Sequence, residues 1–169
     1  MRPILLLALL SLVPACRRSD SAIIARAPYF DAARDTGFAG VQARGEHAMG
    51  VDQYTSTHVF EPLPDGGRIT LERDEADSLG VRQIRQHMEH IAEAFGAGDF
   101  SLPGFVHAKD VPGTVIMTAR RKAIAYTVEF VPRGATVRLL TADPAAVRAI
   151  HDFLAFQRQE HHASAHPGA

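Results

Sequence analysis

The stretch THVFEPLPDGGRITLERDEADSLGVRQIRQHMEHIAEAF, from Thr57 to Phe95, decides how this chain folds. It continues an alternation that begins at Tyr54. Tyr54, Ser56, His58 and Phe60 fall on one face and Thr55, Thr57 and Val59 on the other, as in a half-buried strand running to Glu61. Pro64, Asp65, Gly66 and Gly67 supply turn chemistry, and Ile69 and Leu71 follow on a partner strand, so a hairpin is expected. Asp77 then stands where an N-cap carboxylate accepts from exposed amides. Behind it Val81, Ile84, Met88, Ile91 and Phe95 recur as an apolar helical stripe, which Gly96 and Gly98 end.

The same plan returns nearer the C-terminus. LPDGGRITL (Leu63 to Leu71) lies over VPRGATVRL (Val131 to Leu139), and DSLGVRQI (Asp77 to Ile84) over DPAAVRAI (Asp143 to Ile150). Pro144 takes a first helical position, where its missing N–H is no loss. One such unit cannot bury its own apolar face. The expected architecture is therefore α+β: two ββα repeats forming a four-stranded antiparallel sheet, with two helices packed on one face. Chance likeness of two hairpin-helix units is the alternative. Between the copies, Gly96 to Ala123 reads as an ordered Gly/Pro-rich loop followed by a short helix from Thr114 to Arg121.

Composition narrows the function. The chain has 169 residues, 22% of them charged, and a net charge of −1, which suits one domain and argues against nucleic acid as a partner. Nine histidines beside a single cysteine are the anomaly. MRPILLLALLSLVPAC, Met1 to Cys16, reads as an export leader too short to span a bilayer. Its close on the sole Cys resembles the bacterial lipobox, in which that Cys is lipidated, with Pro14 standing where the motif has a small residue. Ordinary leader cleavage beside an incidental Cys is the alternative. The boundaries that follow are a signal peptide at 1–15, a lipid-anchor site and flexible tether at 16–46, one α+β domain at 47–160 and a disordered His-containing tail at 161–169. A partly ordered arm is the alternative to the tether. The protein is expected to be exported and held, through Cys16, to the cell membrane or the outer membrane. Arg17 after Cys16 favours the outer one, in a host that has it.

Chemistry points to the histidines. No GxSxG, Walker loop or CxxC occurs, so a non-catalytic domain is expected, with an enzyme of unrecognised type as the remote alternative. His58 shares a strand face with Phe60, His87 flanks the first helical stripe, and His151 lies beside the second, made by Val147, Ile150 and Leu154. The connecting segment carries His107 and Met117 over them. Imidazole and thioether together suit copper, and imidazole alone suits zinc. The expected metal ligands are His58, His87, His107, His151 and Met117, and the expected ion is copper or zinc. The competing reading makes these structural or solvated histidines and a packing methionine, in a module that docks an envelope protein. His161, His162 and His166 fall in the tail.

MGVDQ (Met49 to Gln53), THVF, LPDGGRI, GDF-x-x-P (Gly98 to Pro103), His107, Val111-Pro112-Gly113 and IHDFLAFQRQEH (Ile150 to His161) resemble a family of small bacterial exported proteins. The resemblance covers most of the chain after the tether. It implies an export leader, and a second strand histidine at the position that Val59 fills here. Some members bear the name aspartate carbamoyltransferase, but this chain has neither that enzyme's Ser-Thr-Arg-Thr phosphate loop nor the four zinc cysteines of its regulatory chain.

Replacing the lipidation candidate tests the anchor. Cys16→Ser is expected to move the protein from the membrane fraction to the soluble envelope fraction and to end incorporation of labelled palmitate. Unchanged fractionation would count against lipidation.

Overall fold

The computed structural model describes residues 37–50 and 53–163. Strands β1 (Ser56–Leu63) and β2 (Gly66–Arg73) form the first hairpin, followed by a long helix, here α2 (Ser78–Ala97). Strands β3 (Ala125–Val131) and β4 (Gly134–Leu140) form the second, followed by α5 (Pro144–Glu160). All pairings are antiparallel and the sheet order is β1-β2-β4-β3, so the two ββα units join along a β2–β4 seam. The α+β architecture expected from the repeat is the one observed.

The internal repeat is carried into detail at helix starts and turns. Asp77 Oδ1 accepts from Leu79 N at 3.0 Å, and Asp143 Oδ1 accepts from Ala145 N at 2.8 Å, so the two aspartates cap α2 and α5 in the same way. Gly66 and Gly134 open β2 and β4. A Cβ on Gly66 would stand 2.2 Å from Leu139 O and one on Gly134 1.9 Å from Leu71 O, so each glycine lets one strand approach the other across the seam.

The helices do not stay with their own hairpins. Helix α2 packs on β3 and β4 as well as β2, and α5 packs on β1 and β2. Two arginines mark the exchange. Arg85 of α2 donates to Gly134 O (3.1 Å) and Val131 O (2.8 Å) of the second hairpin, and Arg158 of α5 donates to Phe60 O (2.9 Å) of the first. The core lies between sheet and helices. Phe60, Ile69, Leu71, Ala135, Val137 and Leu139 meet Ile84, Met88 and Phe95 of α2 and Ile150, Phe153 and Leu154 of α5, all buried.

Two segments differ from expectation. Across the end of the expected tether and the start of the expected domain, residues Phe38–Met49 form helix α1, which ends on left-handed Gly50 and packs on the next helix but one. Residues 1–36, with Cys16, lie outside the described residues. The expected loop after Gly98 holds a second short helix, α3 (Ser101–His107); Pro103 sits in its first turn, where no N–H is needed. Helix α4 (Thr114–Ala119) is the short helix expected from Thr114, and a 3₁₀ turn, Arg121–Ala123, leads into β3. In the expected tail, residues 161–163 are described and finish α5, where His161 is the C-cap.

The seam generates a stability prediction. Gly134→Ala, at a residue without positive φ, is expected to lower unfolding free energy by about 1–3 kcal/mol through overpacking against the Leu71 carbonyl, read from urea midpoints. A loss within error would mean that the seam gives way without strain.

Candidate functional site

Where α1 and α3 lie over the sheet end of the core, they leave a cavity of about 80 Å³. Arg44 of α1 ties the two covering helices together, its Nε donating to Val106 O at 2.7 Å. The floor comes from Phe60, Ile69 and Leu71, and the walls from Met88, Ile91, Phe95 and Phe153, with Leu102 and Pro103 from α3. That volume is small against the roughly 300–1,000 Å³ of pockets for drug-sized ligands, so a large organic cofactor does not fit.

Four histidines reach this apolar space: His58 from β1, His87 from α2, His107 from the end of α3 and His161 from the end of α5. His58 and His161 stack with centroids 5.0 Å apart, and His107 meets His161 edge-on at 5.1 Å. His58 also stacks on Phe60 at 5.8 Å, and His107 stands edge-on to Phe156 at 4.9 Å. His107 is fully buried, and its Nε2 lies 2.9 Å from Oε1 of buried Gln157.

The enclosure keeps these rings neutral. Burial pushes the His58 imidazole down to about 4, helped by repulsion from His87. Burial likewise takes His87 down to about 4, with His90 adding to the effect. His161 falls well below the ordinary histidine range, first by burial and then by repulsion from His58 and His107. For His107, burial outweighs the opposing hydrogen bond from Gln157 and the attraction of Glu160, so its pKa is lowered too. Neutral imidazole is the form that offers a lone pair. At two of the rings a nitrogen is unmet: Nδ1 of His107 and Nδ1 of His161 are buried without a hydrogen-bond partner.

Compared with models of protein families, with characterised proteins and with solved structures, the chain matches none.

Of the five expected ligands, the structure brings three to the cavity: His58, His87 and His107. His151 is elsewhere, its Nε2 2.9 Å from Leu63 O. One residue past Ile150 turns a side chain about 100° around the helix, off the stripe that faces the core. Met117 is fully buried in the core, held by apolar packing away from the cavity lining. Among the described residues, no group of three or more His, Cys, Asp or Glu side chains is arranged to hold a metal ion, so the expected five-ligand site does not form in this conformation.

Two members of the site were missed. The sequence reading places His161 in the tail and does not single out Gln157. Ile150, Leu154, Gln157 and His161 nevertheless follow one another at three- and four-residue steps, so the stripe that placed Leu154 inside also carries Gln157 and His161 inward.

The depressed histidines set a direction for stability. A group protonated at 6.5 in the unfolded chain and near 4 when folded stabilises fully above 6.5, and that contribution is lost as pH falls towards 4. For His58 alone the loss is on the order of 3 kcal/mol. Urea midpoints are expected to fall between pH 7 and pH 4.5, with a shallower slope in His58→Leu. Parallel slopes for the two proteins would contradict this.

Proposed function

We propose that this chain is a cell-envelope lipoprotein whose folded part is a non-catalytic metal-binding domain, with copper as the leading ion and zinc as the second. The observation that carries the reading is the meeting of four neutral histidines, from four different elements, around one apolar cavity of about 80 Å³. Imidazole nitrogen suits copper and zinc, and a cavity of this size has room for an ion and little more. The site differs from the expected one: His161 enters, while His151 and Met117 serve the fold. The leader and Cys16 supply the envelope half of the proposal.

One observation favours the rival reading, a docking module with structural histidines. The described residues contain no preformed set of three ligands, so metal binding requires either a low coordination number or a local rearrangement.

Metal analysis of untagged protein after anaerobic loading separates the two. About one copper or zinc per chain is expected, with loading reduced when cavity histidines are replaced in pairs and retained in His151→Ala. Absence of stoichiometric metal, or dependence on His151 as strong as on the cavity histidines, would leave the docking module as the better account.

A further inference from the structure

His107 is held at one end of its ring and free at the other. Its Nε2 faces Gln157 Oε1 at 2.9 Å. An amide oxygen only accepts, so Nε2 carries the hydrogen, and in the neutral ring Nδ1 keeps its lone pair. That Nδ1 is buried and unpartnered. Glu160 Oε2 stands 3.9 Å from it, too far for a hydrogen bond, and lies 2.7 Å from the Lys109 ammonium. The ring of His161 stands 5.1 Å from that of His107 by centroids and at 87°, and its own Nδ1 is also buried and unpartnered. A buried polar atom left unmet destabilises the fold. With the hydrogen of His161 on its Nε2 as well, a shared electron-pair acceptor would meet both atoms at once. Two imidazoles in line across one ion, with nitrogen–metal bonds of about 2.0 Å, have ring centroids roughly 6 Å apart, so a shift of about 1 Å at the C-cap of α5 brings the observed pair into register.

The choice of ion follows from what the site lacks and what lines it. Ions that require four or more ligands are poorly served where the described residues offer no group of three. A filled-shell monovalent ion is satisfied by two nitrogen donors. Charge selects in the same direction. The cavity is walled by Phe60, Leu71, Met88 and Ile91, and the solvation lost on burial scales with the square of the charge, so a monovalent ion loses only about a quarter of what a divalent one does.

Resting on the metal-binding reading above, we propose that the cavity takes copper as Cu(I), held by Nδ1 of His107 and Nδ1 of His161, with Gln157 as the positioning residue that fixes the His107 tautomer. The ion binds already reduced, and no electron is transferred. Gln157 acts through the ring: by keeping hydrogen on Nε2 it keeps Nδ1 available, as outer partners of ligating histidines do generally.

The test is an anaerobic titration of the full mature chain in detergent with Cu(I), against a chromophoric Cu(I) chelator, and with Ag(I) as a redox-inert stand-in. About one ion per chain is expected, with two nitrogen neighbours by X-ray absorption. In wild-type protein, Ag(I) is expected to shift the nitrogen resonances of Nδ1, rather than Nε2, in both His107 and His161. This readout does not depend on any variant folding. Gln157→Leu is expected to weaken Cu(I) about 10–100-fold, and Gln157→Glu, which still accepts from Nε2, to recover most of that loss. Shifts at Nε2, or three or more nitrogen or oxygen neighbours, overturn the two-nitrogen site while leaving metal binding in place. Failure of Cu(I), Cu(II) and Zn(II) alike to bind stoichiometrically overturns both.

Discussion

The whole molecule depends on β2 and β4 lying side by side. Gly66 and Gly134 allow that approach, because at either one a Cβ would run into the opposite strand's carbonyl, Leu139 O or Leu71 O. Once the seam forms, the two hairpins become one sheet, and each helix finds most of its apolar floor across the seam from the hairpin that precedes it. Arg85 and Arg158 then fasten each helix to the other unit's backbone. Neither half is a domain, because neither covers its own strands.

That exchange also accounts for where the cavity is. Helix α5 lies over β1 and β2, so its last turn arrives beside His58 instead of beside its own unit's Tyr126. The α1–α3 pair covers the opening that remains and contributes His107. Phe60, Ile91 and Leu102 line the cavity beside the rings, and burial against this apolar lining favours the uncharged imidazoles. The site is thus a by-product of the seam. Slide either hairpin and the histidines part.

Local order was readable wherever a period or a cap announces itself. The β1 alternation, the turns at Pro64-Asp65 and Pro132-Arg133, the caps at Asp77 and Asp143 and the stripes of both long helices all follow from side-chain chemistry within a few residues. Helix α3 was not readable, because seven residues holding a proline and a glycine carry no usable period. The helix exchange was not readable for another reason. An apolar stripe shows that a helix must be covered, and not by which strands. The same gap explains the site: His58, His87 and His107 were found by type and position, whereas His151 and His161 exchanged roles because the helix phase decides which of them faces inward.

The Arg158–Phe60 bond joins residues 98 apart in sequence, and it has an implication for how the chain is made. The first hairpin, though synthesised early, cannot close its core until the final helix exists. Native structure dominated by such distant pairings forms slowly. In a chain made from its N-terminus, slow closure leaves the apolar face of the first hairpin uncovered until α5 arrives. Neither half of the fold can lock shut before the other is complete, so the domain closes as one unit or not at all.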